Sequence, residues 1–244
     1  MINKFVFDVD GTLTESRRTI DSNFKKWFMS FQKTHDTYLV TGSDRIKTIE
    51  QIGEDIYNLA KRVYNCSGNS VWEQDKEIYK SKWKLEIYPH NWLQEKLRKH
   101  HFRPRTGWHF DERPGLCNFS IVGRNATREQ RNQYVDWDKK FNDRKHIAKE
   151  FNRKFSKEYE IVAQVAGETG LDIMPIGKDK RQILKDFNLE IDHIFFFGDK
   201  MNTNGNDKPL ADANKQGENF HVDGWQHTWE LLKGFFVIDE IKHK

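Results

Sequence analysis

The stretch that most constrains the fold is Lys4-Phe5-Val6-Phe7-Asp8-Val9-Asp10-Gly11-Thr12-Leu13-Thr14. Phe5 to Phe7 is a short apolar run without polar alternation, which suits a strand buried on both faces of a parallel sheet. Asp8 and Asp10 then fall where the strand ends, the place where open α/β sheets bind ligands. Side chains of a strand repeat every two residues, so both carboxylates point to one side if the strand geometry persists. Gly11 lets the backbone turn sharply after them. Two carboxylates this close repel unless a cation lies between them, and an all-oxygen donor set suits Mg²⁺. One carboxylate can then attack phosphorus while its neighbour handles the proton. An ordinary Asp-Gly turn is the competing explanation; the apolar strand before it and Thr12-Leu13-Thr14 after it weigh against that.

The rest of the chain repeats the pattern of strand, then chemistry. Phe24, Trp27, Phe28 and Phe31 recur at helical spacing between Ser22 and Gln32 and read as core. Thr37 to Val40 is a second buried strand ending in Thr41-Gly42-Ser43-Asp44, with a helix after it. Hydroxyls and backbone N–H groups at a helix start bind phosphate, although Ser43 or Asp44 also suits a helix cap. Arg17, just past the aspartates, can reach an anion there or sit in solvent. Val63 to Cys66 reads as a third strand.

From about Trp83 the pattern changes. A basic helix spans Ile87 to His101. Strands at Trp108–Phe110 and Leu116–Val122 flank the turn Arg113-Pro114-Gly115, and a single long charged helix runs from about Thr127 to Phe155. Alternating strands follow at 160–165 and 170–175. These hairpin-like strands read as an inserted α+β domain. The first pattern then returns. Lys178-Asp179-Lys180-Arg181 opens a helix, and Asp192 to Phe197 is a buried strand ending in Gly198-Asp199-Lys200. A polar loop leads to Asp207, and a short helix at 225–233 closes the chain. The expected fold is α/β: a doubly wound core from residues 1–81 and 177–244 carrying an inserted α+β cap, 82–176.

Bulk properties limit the function classes. The 244 residues suffice for a substantial core, and the net charge of +4 mixes many charges of both signs. That balance argues against a nucleic-acid partner; a small anionic substrate needs only a local positive pocket. Two scattered cysteines, Cys66 and Cys117, fit a reducing compartment. With no signal peptide and no apolar run long enough for a membrane, the expectation is a soluble cytoplasmic protein.

In a parallel sheet, the ends carrying Asp8/Asp10, Thr41/Ser43, Lys180 and Asp199/Asp207 share one rim. Each alone is a weak signal; their order is not. The chain resembles the haloacid dehalogenase (HAD) superfamily of phosphotransferases. Within it, Arg113-Pro114-Gly115-Leu116-Cys117-Asn118-Phe119-Ser120 with Gly123-Arg124, together with the four strand-end motifs, resembles the eukaryotic-type phosphomannomutases over most of the chain.

That resemblance implies a Mg²⁺-dependent interconversion of mannose 6-phosphate and mannose 1-phosphate, activated by a hexose 1,6-bisphosphate. It implies Asp8 as nucleophile and Asp10 as general acid/base with its carbonyl on the metal. Asp199 and Asp207 would lie in the metal loop, and Lys180 would steady the phospho-aspartate. Arg17, Arg113, Arg124 and Arg131 would grip phosphate, with Ser43 also on the substrate, and Asp172 would hold sugar hydroxyls. It also implies a homodimer through the cap. Arginine forks suit phosphate on physical grounds, although a solvated charged face is the default for so basic a segment. The family usually has Ser where this chain has Gly170, which leaves the sugar open. A Mg²⁺-dependent sugar-phosphate phosphatase on the same fold is the alternative activity, and a non-enzymatic phosphate-binding protein the third.

Overall fold

Strand β1 (Ile2–Phe7) lies at the centre of a seven-stranded sheet, and its sequence explains why. Phe5 and Phe7 face one side, where they meet Phe24, Phe28 and Phe31 of helix α1 (Ser22–Thr34). Val6 faces the other side, into a separate cluster. A strand covered on both faces has no use for polar residues, hence the unbroken run. The computed structural model describes residues 1–203 and 205–242. The chain divides into two compact units, Met1–Lys80 with Asp179–Lys244, and Ser81–Lys178.

In the first unit β1 pairs in parallel with β2 (Asp36–Val40), which helix α2 (Arg45–Leu59) connects to β3 (Arg62–Asn65). An antiparallel hairpin, β4 (Ser70–Glu73) and β5 (Lys76–Lys80), covers that edge, so the sheet is mixed.

The second unit begins with helix α3 (Ile87–Lys99). Its sheet comprises β6 (Phe110–Arg113), β7 (Leu116–Ser120), β8 (Ile161–Ala166) and β9 (Gly170–Pro175), all antiparallel in the order β6-β7-β9-β8. Helices α4 (Arg128–Phe141) and α5 (Asp143–Tyr159) separate β7 from β8. One cross-strand row, Phe110–Phe119–Leu171–Val165, packs with Phe151 and Phe155 of α5. The next row, Asp111–Asn118–Asp172–Gln164, therefore lies on the opposite, polar face.

The chain re-enters the first unit through 3₁₀ turns at Lys180–Asp186. β10 (Asp192–Gly198) then pairs with β1 on its other edge, and helix α6 (Lys208–Ala213), β11 (Glu218–His221) and helix α7 (Trp225–Lys242) follow. Phe195 and Phe197 stack on Phe5 and Phe7 at 5.1 and 4.9 Å. The chain leaves β1 toward β2 on one side and returns as β10 on the other. The sheet's switch point therefore lies between the strands that carry Asp8 and Asp199.

Four sequence expectations need correction. The long charged helix is two helices, because Asn142 takes a left-handed conformation (φ 50°) and the Asp138 carboxylate binds Arg144 N and Nε just beyond it. The strand expected at Trp108–Phe110 runs from Phe110 to Arg113, so Arg113 is a strand residue. The helix expected at Lys180 is 3₁₀. The final helix extends to Lys242. Among the described residues no helix is long and apolar enough to cross a membrane.

Candidate active site

Beyond β1 the Asp8 N–H extends the sheet ladder by binding the Phe197 carbonyl at 2.9 Å, which places a buried carboxylate at the strand end. The chain then curls: Leu13 N and Thr14 N both donate to the Val9 carbonyl, and Gly11 N donates to Thr14 O. Gly11 has φ 85°, and a Cβ there would collide with the Asp199 carboxylate. Glycine thus allows both the turn and the close approach of β10's terminal carboxylate. From the far end of the unit, the Thr228 hydroxyl donates to Thr12 O at 2.8 Å and ties the loop to α7.

Asp10 is held differently from Asp8. Its Oδ1 accepts from Arg17 N (2.8 Å) and from the side-chain amide of Gln51 on α2 (2.9 Å). The same amide donates to Thr14 Oγ1 at 3.3 Å. Gln51 is buried and precedes the kink at Gly53.

Lys180 is fully buried between two carboxylates, with Nζ 2.5 Å from Asp8 Oδ1 and 2.6 Å from Asp207 Oδ1. Asp207 Oδ2 accepts from Lys200 N at 2.9 Å, so both its oxygens are engaged and it anchors the lysine. Burial pushes the Asp8 carboxyl up to about 8 against the pull of Lys180, and Asp207 and Asp199 add to the rise. Burial alone would lower the Lys180 ammonium, but Asp207 and Asp8 outweigh it and raise the group above its usual value.

The cluster fits a divalent cation. Oxygens of Asp8, Asp199 and Asp207 lie within 4.8 Å of one another. Asp199 Oδ2 binds Lys200 Nζ at 2.7 Å, whereas Asp199 Oδ1 is buried with no hydrogen-bond partner. Such an oxygen costs about 1–3 kcal/mol unless a cation or donor reaches it. Three carboxylates also outnumber the two ammonium groups beside them. The structure thus brings together Asp8, Asp199, Asp207 and Lys180, and links Asp10 to Arg17. Ser43 donates its N–H to Thr41 Oγ1 (3.1 Å) within the turn after β2, and its carbonyl accepts from Cys66 N just beyond β3.

The second unit holds the other predicted residues. Asp111 Oδ2 takes Nη2 of both Arg113 (2.7 Å) and Arg124 (2.9 Å). Arg124 Nη1 reaches Asn118 Oδ1 at 3.1 Å, and Asn118 Nδ2 donates to Asp172 Oδ1 at 2.6 Å. Burial raises the Asp172 carboxyl, while Arg113 and Asn118 oppose this. Gly170 makes room for the chain of contacts, because a Cβ there would lie 2.6 Å from Asn118 Nδ2. Arg131 sits one turn into α4, buried, with Glu168 as its carboxylate partner. Gln51, Asp111 and Glu168 were not anticipated from sequence. Alternation along β6 could have revealed Asp111, two residues before Arg113 and on its face. Nothing local marks Gln51.

The chain matches the eukaryotic phosphomannomutase model over residues 24–237. It belongs to that family. It is 29% identical over 214 residues to the phosphomannomutase of Saccharomyces cerevisiae, covering 83% of this chain and 82% of the yeast protein. Solved structures extend the likeness to fold. A haloacid dehalogenase-like hydrolase from Bacteroides thetaiotaomicron superposes with a TM-score of 0.58 at 14% identity, over 94% of this chain and 92% of that one. The IMP-bound, N-terminally truncated IMP-nucleotidase of Plasmodium falciparum gives 0.61 at 14% identity, over 95% of this chain and 67% of that one. At such identity these two show a shared HAD fold. Membership of the family accounts for the order of the motifs, with the strand ends of the first unit interrupted by the arginine-bearing α+β unit.

Proposed function

We propose that the protein is a phosphomannomutase that interconverts mannose 6-phosphate and mannose 1-phosphate through a phosphorylated Asp8 and a hexose 1,6-bisphosphate. The observation that carries the reading is Asp8 itself, a buried carboxylate at a switch-point strand end, gripped by a fully buried lysine. An Asp8 oxygen attacks phosphorus, the bond from phosphorus to the sugar oxygen breaks, and Asp10 gives its proton to that oxygen. In the other half-reaction the free hydroxyl of a hexose monophosphate attacks the phosphorus on Asp8, its proton goes to Asp10, the bond from phosphorus to Asp8 breaks, and the bisphosphate so formed turns round to present its other phosphate. Lys180 offsets charge on Asp8 throughout, and Asp207 fixes Lys180. A divalent cation, Mg²⁺ in this reading, would be held by Asp8, Asp199 and the Asp10 main chain, and supplies charge neutralisation at the transferring phosphoryl group. Arg113, Arg124 and Arg131 bind the phosphate that is not reacting, and Asp172 the sugar hydroxyls.

The test is a coupled assay on mannose 1-phosphate with a hexose 1,6-bisphosphate, run beside phosphate release and repeated with EDTA. Mannose 6-phosphate should form, and chelation should abolish it. Rapid phosphate release without isomerised product would make the protein a sugar-phosphate phosphatase.

A further inference from the structure

Arg131 is a buried guanidinium, its side chain 10% exposed, and a charge so placed must keep an anionic partner. That partner is Glu168, whose Oε2 accepts from Arg131 Nη2 at 3.1 Å. Glu168 is shared: Arg128, one helical turn earlier on α4 and 71% exposed, places Nη1 3.0 and 3.1 Å from its two oxygens. Thr127 and Gln130 form a capping box that fixes this first turn of α4, so both arginines project from an ordered backbone. The turn carrying Glu168 is anchored as well. Arg144 Nη1 donates to the carbonyls of Ala166 and Gly167, and its Nε is held by Asp138. Within the buried pair, Glu168 is the more exposed side chain, at 38%.

We propose that Glu168 is a built-in competitor for the phosphate of the substrate: it occupies the guanidinium of Arg131 that the phosphate requires, and Arg128 takes it over when the phosphate arrives. This rests on the reading of Arg131 as a phosphate ligand. A phosphate dianion brings more charge and more acceptor oxygens to Arg131 than a carboxylate does, so the exchange is favourable once Glu168 has another partner. Arg128 is that partner. An exposed ion pair of this kind forms and breaks at little cost, as a parking place requires. The pair thus sets how tightly a phosphosugar is held and how readily it leaves.

Calorimetric titration of mannose 1-phosphate into Asp8→Asn enzyme, which does not turn over, reads the exchange directly. Glu168→Gln keeps an oxygen for Arg131 and should tighten binding about 5- to 30-fold. Arg128→Ala should weaken it about 3- to 10-fold when Glu168 is present, and less than about 2-fold in the Glu168→Gln background. Equal losses in both backgrounds would show that Arg128 merely adds positive field, and would overturn the proposal. So would weaker binding by Glu168→Gln with its melting temperature intact. Arg131→Ala separates the two levels of inference. If it weakens binding more than about tenfold while Glu168→Gln changes nothing, Arg131 binds phosphate and the competitor role fails. If Arg131→Ala changes nothing, the assignment of phosphate to Arg131 fails and the proposal falls with it.

Discussion

Gln51 offers the sharpest test of the chemistry, because its side chain touches Asp10 and none of the clustered carboxylates Asp8, Asp199 and Asp207. Its amide donates an N–H to Asp10 Oδ1 beside Arg17 N, which belongs to the backbone and survives any side-chain change. Gln51→Leu keeps the buried volume and removes the amide donor. Losing a hydrogen bond to a charged group costs about 1.5–3 kcal/mol, which corresponds to a loss of roughly 10- to 150-fold in rate if all of it appears in the transition state. That does not exceed the ~10²–10⁴-fold a general acid contributes, as it must not for a residue that only positions the acid.

The effect should depend on the leaving group. A sugar hydroxyl or phenol needs its oxygen protonated as the bond breaks, and 2,4-dinitrophenolate does not. Gln51→Leu should therefore lower kcat/KM by about 10- to 150-fold for phenyl phosphate and mannose 1-phosphate, but by less than about threefold for 2,4-dinitrophenyl phosphate. Reading kcat/KM confines the comparison to the steps up to departure of the leaving group. Thermal denaturation of the variant should show a loss of about 1 kcal/mol for the contact to Thr14, so assays belong well below its melting temperature. Equal losses along the leaving-group series would refute the reasoning, since a general disturbance of the fold has no reason to spare one phenol.

Lys180→Met leaves Asp8 and Asp207 buried without their shared cation, which should cost about 3–5 kcal/mol and lower the melting temperature by roughly 6–20 °C; an unchanged melting curve would mean the two carboxylates are not held charged by the lysine. Arg124→Ala should reduce mutase turnover at least about tenfold more than hydrolysis of p-nitrophenyl phosphate, which has no second phosphate to grip; parallel losses would assign the arginine to folding. Gly170→Ser places a Cβ against Asn118, which is tied to Arg124 and Asp172, and should cost about 1–2 kcal/mol by chemical denaturation as one or two of those bonds break; a neutral result would show that Asn118 moves aside at no cost.

The parts legible in the sequence share one physical cause. β1 and β10 are buried on both faces, so burial wrote them as runs of Phe, Val and Ile, and the reactive residues stand where those runs stop. The hairpin of β4 and β5 left no such mark, because β5 (Lys-Glu-Ile-Tyr-Lys) is a largely exposed edge and its turn uses Gln74 at φ 55° instead of glycine. The break at Asn142 was hidden because the apolar stripe continues across it, from Tyr134 to Ile147 and Phe151. Polar partners were the least legible of all. Gln51 reaches Asp10 across 41 residues and Glu168 reaches Arg131 across 37, contacts that only the tertiary fold creates.

How each buried cation is paired separates permanent contacts from exchangeable ones. Lys180 has partners as buried as itself, with the side chains of Asp8 and Asp207 4% and 0% exposed. Moving either would strand a charge in the interior, so this lysine stays in place while phosphoryl groups come and go. Arg113, Arg124 and Arg131 are also mostly buried, but their carboxylates are not: Asp111 is 27% exposed and Glu168 38%. Those carboxylates can turn toward solvent at modest cost when a stronger anion takes the guanidinium. The division matches what the proposed mutase requires. The reacting phosphoryl group moves to or from the same aspartate in every half-reaction, and so needs a fixed charge beside it. The other phosphate must be released and gripped again in each cycle, and so needs arginines whose own counter-ions can step aside.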